Sequence, residues 1–244
     1  MTKDKSCSKV LITGSNSGIG YEVCRKYLRS GYTVIALYHK SSNYLDRLVL
    51  KYGDRVQAHS INLAKSSQLS DFIVNNKDCL SEVNVFIHLA AMRKHIDYDN
   101  LSANDLVEHF TANTVSSIIL TQFFSKTMRN NSWGRIVIGS SIGVKFGGSS
   151  ITYAYSLSKH ASEFLPNSYR EWSKDNVLIN TIRIGVTNTD PIKALGEKTN
   201  KYRASLIPMK RFAEPVEVAN EIYHLGSLDN TFITGQVLVV AGGE

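Results

Sequence analysis

Short apolar runs alternate with longer amphipathic stretches along this chain. The runs lie at 9–13, 33–38, 55–61, 83–89, 135–140, 177–184 and 236–240, and are rich in valine and isoleucine. They are apolar throughout rather than at every second position, the pattern of strands covered on both faces. Between them the periodicity predicts helices near 18–30, 43–52, 66–78, 102–129, 152–174 and 214–227. Seven strands alternating with helices predict an α/β fold, a Rossmann-like doubly wound parallel sheet flanked by helices. Such sheets take ligands beyond the carboxyl ends of their strands, where strand order reverses. Pro166 falls inside the 152–174 stretch and removes a helix hydrogen bond there, so a kink is expected near Glu163 to Leu165 rather than a break in the fold. No repeat, low-complexity tract or linker divides the sequence, and residues 1–244 are expected to form a single domain.

Composition narrows the class. The 244 residues are 43% hydrophobic and 20% charged, ordinary for a soluble protein with a substantial core. No apolar run approaches the length of a membrane span. Met1 to Lys9 is polar, without an apolar signal core, so a cytoplasmic location and no membrane partner are expected. Cys7, Cys24 and Cys79 show no paired spacing and the seven histidines no metal spacing, so neither a disulfide framework nor a metal is expected. The net charge of +7 comes with no basic–aromatic cluster or recognition motif, which argues against a nucleic-acid partner. One local excess stands out: Lys193, Lys198, Lys201, Arg203, Lys210 and Arg211, against Asp190, Glu197 and Glu214.

The first strand runs into Gly14-Ser15-Asn16-Ser17-Gly18-Ile19-Gly20 and then into an amphipathic helix. Glycines let the backbone turn tightly and approach a pyrophosphate, and the helix start offers free N–H groups and a partial positive charge. Placement between a first strand and a first helix makes this a dinucleotide cradle; a plain turn would need one glycine. An NAD site usually carries an acid at the end of the second strand, whereas a 2′-phosphate is met by basic and hydroxyl groups. No acid occurs between Gly31 and Asp46, and His39, Lys40 and Ser41 offer charge and donors. NADP(H) is therefore favoured over NAD(H).

Tyr155 and Lys159 are four residues apart, a spacing that shares one helix face. An ammonium beside a phenol favours the phenolate, which would bring the tyrosine into acid–base use nearer neutral pH. Ser140 and Ser141 lie upstream. Tyr153 is a competing phenol, but Leu157 stands four residues after it.

These residues resemble the short-chain dehydrogenase/reductase family in its compact form, from about Ser8 to Gly243. Thr13-Gly14-x-x-x-Gly18-Ile19-Gly20 is similar to the family's cofactor motif, Asn113 to its active-site asparagine, Tyr155-x-x-x-Lys159 to its catalytic pair, and Asn180 to its residue near the end of the sixth strand. Gly185 and Thr189 match its Pro-Gly-x-x-x-Thr segment, and Ile207-Pro208 to Ala219 and Ile233 to Gln236 its C-terminal signature. The resemblance implies hydride transfer between a nicotinamide and a small carbonyl or alcohol substrate. It implies Tyr155 as proton donor or acceptor, a serine that polarises the carbonyl, and Lys159 on the nicotinamide ribose. Asn113 would hold a water linking Lys159 to solvent. Gly185, Val186, Thr187 and Thr189 would hold the carboxamide, Asn62 and Leu63 would meet the adenine, and Ala90 and Ala91 would line the cofactor. Ser140 keeps the family's three-residue spacing to Gly143 and is favoured over Ser141.

Departures are His88-Leu89-Ala90-Ala91 for Asn-Asn-Ala-Gly, Asn62 for an acid, Ile184 for proline and Ala241 for aspartate. His88 is expected to be buried and neutral. In this family the lysine-rich segment covers the substrate, which suggests an anionic one: a sugar, nucleotide-sugar or acyl thioester. Residues 141–159 resemble reductases of bacterial surface-glycan and flagellin modification, and the more general likeness is to 3-oxoacyl reductases. A homotetramer or homodimer is implied, joined through helices 102–129 and 152–174 and the last strand. The alternative is a non-catalytic dinucleotide-sensing or scaffold protein on the same fold.

Overall fold

The computed structural model describes residues 8–244; Cys7 and the segment before it, read above for a leader and for cysteine pairing, lie outside the described residues. The strands are β1 (Lys9–Thr13), β2 (Thr33–Tyr38), β3 (Val56–Ser60), β4 (Val83–His88), β5 (Gly134–Ser141), β6 (Val177–Ile184) and β7 (Val237–Val240). The helices are α1 (Gly18–Arg29), α2 (Asn43–Tyr52), α3 (Ser66–Asn75), α4 (Lys77–Ser81), α5 (Ala103–Phe110), α6 (Ser116–Asn130), α7 (Tyr153–Ser162), α8 (Tyr169–Trp172), α9 (Asp190–Lys193), α10 (Glu197–Ser205) and α11 (Pro215–Leu225). All strands pair parallel in the order β3-β2-β1-β4-β5-β6-β7. The chain winds outward from β1 to β3, crosses back, and winds the other way from β4. The direction reverses between β1 and β4, where Thr13 lies opposite His88, and the loops of this edge form the crevice.

Successive strand residues face opposite sides. Val10, Ile12, Val137 and Ile182 pack with Val23 and Tyr27 of α1 and Val218 and Ile222 of α11. Leu11, Phe86, Ile136, Ile138 and Ile179 pack with Leu120 and Phe124 of α6. Each such side chain stabilises the fold by about 1.5–3 kcal/mol relative to leaving it in water. The two outer strands depart from the expectation of burial on both faces. In β3 only Val56 is buried, and β7 exposes Val237 and Val239, because no helix covers one side at the edges.

The 152–174 stretch is corrected more substantially: it does not bend, it stops. α7 ends at Ser162, residues 163–168 form a turn, and α8 resumes at Tyr169. Proline lacks the N–H, its ring clashes with the carbonyl one turn back, and it pushes Leu165 out of helical geometry. The 102–129 stretch stays coiled but widens. Between α5 and α6 a π-helical turn, Thr111–Val115, inserts an extra residue and carries Asn113; such turns often mark functional positions.

Candidate active site

The glycine turn is shaped by close packing at the crevice. Gly14 has φ +68°, and a Cβ there would sit 2.7 Å from the Ala90 nitrogen. A Cβ on Gly20 would sit 2.2 Å from the Gly14 carbonyl oxygen. Only glycine fits either position. The Ser17 hydroxyl accepts from the Gly20 amide at 3.0 Å and donates to the Gly14 carbonyl at 2.9 Å, capping α1. The amides of Gly18 and Ile19 have no intrahelical acceptor, as at any helix start. Ser15 is turned inward: its hydroxyl donates to the Ile12 carbonyl at 2.6 Å and its amide to Leu37. This donor set fits a dinucleotide pyrophosphate.

At the end of β2, His39, Lys40 and Ser41 are exposed. The Asn16 side chain donates to the Ser41 hydroxyl at 3.0 Å and accepts from the Tyr44 amide at 2.9 Å, so the glycine turn also caps α2. Asn62 accepts from the Ala64 amide at 3.0 Å, and Leu63 packs on the core. On the other side of the crevice the Gly185 amide donates to Val240 and the Thr187 hydroxyl to the Gly185 carbonyl; Ala213 donates to the Val186 carbonyl. Thr189 returns to the glycine turn, its methyl 3.2 Å from where a Gly18 Cβ would lie. The Tyr44 hydroxyl donates to Asp190 at 2.6 Å, a clasp across the crevice that no motif signals.

The residues expected to carry acid–base chemistry lie beyond β4 and β5. The Ser140 hydroxyl donates to Glu163 at 2.6 Å, and Glu163 also takes Arg183 Nε at 2.7 Å and Nη2 at 2.6 Å. Ser140 thus belongs to a structural network at the end of α7. Ser141, facing the opposite way along the strand, has its hydroxyl beside the Tyr155 phenol, where it favours the ionised form. The expected serine, Ser140, is thus tied to Glu163, and Ser141 is the hydroxyl on the side of the phenol. Neighbouring strand residues point to opposite sides, and counting from Gly143 could not tell which of them turns to the phenol.

Tyr155 is half-buried. Burial raises the phenol pKa, while the Ser141 hydroxyl and the charge of Arg93 pull it back. The expected lowering by Lys159 is absent. The Lys159 amine donates to the Gly139 carbonyl at 2.7 Å and the Ala90 carbonyl at 3.3 Å, and burial lowers its pKa to about 8. It is therefore already neutral where the phenol ionises. Asn113 is buried, its oxygen accepting from the Met92 amide at 2.6 Å and its nitrogen donating to the Met92 carbonyl and the Ser158 hydroxyl. Its side chain fixes the loop after β4. Ala91 lies exposed on that loop. Arg93, Glu163, Arg183 and Tyr44 were missed because no spacing links them to a motif.

His88 sits between Thr13 and Asn113. Thr13 Oγ1 accepts from the Leu89 and Ala90 amides, so its proton goes to His88 Nδ1 at 3.1 Å and Nε2 carries the ring's N–H. Nε2 faces the Asn113 backbone without a hydrogen bond of normal geometry. Burial, then the nearby Lys159, lowers its pKa from 6.5 to about 3. The folded ring stays neutral while the unfolded one takes up a proton. Stability contributed at neutral pH is thus lost as pH falls from 6.5 toward 3, on the order of a few kcal/mol. Urea midpoints measured across this range should fall less in His88→Asn than in the wild type; parallel curves would refute the assignment.

Among the described residues no group of three His, Cys, Asp or Glu gathers for a metal, and no helix is long and apolar enough to cross a membrane. Comparison with known proteins agrees with the geometry. The family model described as enoyl-(acyl carrier protein) reductase matches residues 14–244. The 3-oxoacyl-(acyl-carrier-protein) reductase FabG of Aquifex aeolicus is 28% identical over 96% of this chain and 95% of its own length. A 3alpha-hydroxysteroid dehydrogenase of Mediterraneibacter gnavus is 26% identical over 95% of this chain and 94% of its own length. The structure of a 3-oxoacyl-(acyl-carrier-protein) reductase from Agrobacterium tumefaciens with NADP bound is 26% identical, with a TM-score of 0.87, over 97% of this chain and 94% of that one. With a glycine cradle at the switch point and a serine, tyrosine and lysine beyond β5, the chain belongs to the short-chain dehydrogenase/reductase family, oxidoreductases acting on CH–OH and C=O groups.

Proposed function

We propose that the protein is an NADP(H)-dependent reductase of an anionic ketone. The carrying observation is the Ser141–Tyr155 pair beside buried Lys159, next to the glycine turn. Gly14 to Gly20 would hold the pyrophosphate, His39, Lys40 and Ser41 the 2′-phosphate, Asn62 and Leu63 the adenine, and Ala90, Ala91, Gly185, Val186, Thr187 and Thr189 the nicotinamide end. The bound nicotinamide supplies the hydride. Ser141 donates to the carbonyl oxygen and orients it. Tyr155, kept protonated through neutral pH by burial, gives its proton to the same oxygen. At neutral pH the protonated phenol is the form that serves reduction.

An anionic substrate is supported by the segment after β6. Arg203 pairs with Glu244 and Arg211 with Glu217, while Lys193, Lys198 and Lys201 have no carboxylate partner among the described residues. The three lysines leave a positive field around this segment. A homodimer or homotetramer is supported by exposed Val107 and Ile118 on α5 and α6, and by Val237 and Val239 on the β7 edge.

Measuring NADPH and NADH oxidation with a panel of ketones tests the reading. NADPH should be preferred, and Lys40→Ala should lower kcat/KM for NADPH about 10-fold while leaving NADH unchanged, since one phosphate contact is lost. NADH preference in the wild type would refute the cofactor assignment. Absence of turnover with either would favour the dinucleotide-sensing alternative.

A further inference from the structure

We infer that Arg93 selects the substrate, its guanidinium holding a carboxylate or phosphate of an anionic ketone whose carbonyl lies against Tyr155 and Ser141. The inference rests on the reductase reading above and deepens it.

Arg93 lies in the loop between β4 and α5, and that loop is fastened on both sides of it. Before it, both backbone groups of Met92 bond the Asn113 side chain, at 2.6 and 2.9 Å. After it, the Lys94 amide donates to His109 Nε2 at 3.2 Å, and the Lys94 ammonium pairs with Glu108. Further on, the Ile96 amide donates to the Ile151 carbonyl at 3.0 Å and the Tyr98 amide to Ser150 at 2.8 Å. The Tyr98 ring meets Tyr153 edge-on at 5.0 Å. The loop is therefore stitched directly to the start of α7, the helix that carries Tyr155.

Between these fastenings Arg93 is exposed and makes no hydrogen bond or ion pair among the described residues. The Asn113 side chain that holds Met92 also donates to the Ser158 hydroxyl, which donates to the Tyr155 carbonyl, so the backbone next to Arg93 is tied to the turn that carries the phenol. Other cations of this region are committed: Lys94 to Glu108, Arg183 to Glu163, Arg203 to Glu244 and Arg211 to Glu217. Arg93 is left with its planar fork free, the geometry that suits a carboxylate or phosphate. Lys193, Lys198 and Lys201 would raise the local concentration of such an anion without fixing it, whereas Arg93 sits on a fastened backbone beside the proton donor.

Two matched pairs of ketones test this with NADPH: a short 3-oxo acid against its methyl ester, and dihydroxyacetone phosphate against dihydroxyacetone. The wild type should prefer the charged member of at least one pair, and which pair responds separates carboxylate from phosphate. Arg93→Gln should lower kcat/KM for that charged member about 10-fold to 100-fold, mainly through KM, and leave its neutral partner unchanged. Arg93→Lys should recover part of the loss. Rising salt should raise KM for the charged member only. Thermal unfolding should not move in either variant, because Arg93 makes no hydrogen bond or ion pair among the described residues. Equal turnover within both pairs, or an equal effect of Arg93→Gln on charged and neutral members, would overturn the role of Arg93 while leaving the reductase reading intact. Turnover of none of the four would overturn the reductase reading and this inference with it.

Discussion

Tyr155→Phe should lower kcat for ketone reduction by about 10²–10⁴-fold, the usual contribution of a positioned general acid. The phenyl ring keeps the shape of the side chain and removes only the hydroxyl, so folding should be preserved. NADPH binding, followed by fluorescence titration, should change little, because the glycine turn and the Gly185 to Thr189 loop are untouched. The effect belongs in kcat rather than KM, since the proton moves only in the transition state. Activity within a few-fold of wild type would mean that another group protonates the carbonyl. The nearby phenol of Tyr153 is a poor substitute, because its ring is engaged edge-on with Tyr98.

The second large effect separates adjacent serines. Ser141→Ala should lower kcat about 10²-fold, as for loss of one donor to a developing oxyanion, with no comparable change in stability. Ser140→Ala should do the reverse. Its hydroxyl donates at 2.6 Å to Glu163, whose carboxylate is held by Arg183 in a largely buried pair. Losing a hydrogen bond to a charged group costs about 1.5–3 kcal/mol of stability, and kcat should stay near wild type. Steady-state kinetics beside urea unfolding of both variants decides the matter. A kcat collapse in Ser140→Ala with Ser141→Ala fully active would reverse the assignment.

Much of this molecule was legible before any coordinates. The valine- and isoleucine-rich runs marked every strand within a residue or two, because a strand between two helical layers must be apolar on both faces. The β1–α1 cradle was legible because tight turning and a helix start leave glycines at fixed spacing. The ends of the sheet were not, since whether a strand lies at an edge depends on its partners: β3 and β7 read like the others and proved half-exposed. Pro166 announced a disturbance, but not that Glu163 at the break would hold Ser140 and Arg183, residues distant in sequence.

The site divides in the same way. Local spacing placed Tyr155 and Lys159 on one helix, and that relation is a property of the sequence alone. Where the amine points is not: it turns to carbonyls of Gly139 and Ala90 on two other segments, and burial rather than a neighbouring charge governs both its proton and that of the phenol. The choice of Ser141, the role of Asn113 as a fastening for Met92, and the position of Arg93 beside Tyr155 likewise came from the tertiary structure. Periodicity and motif spacing report contacts made within one element. Desolvation and contacts between segments far apart in the chain arise only when the sheet brings those segments to one edge.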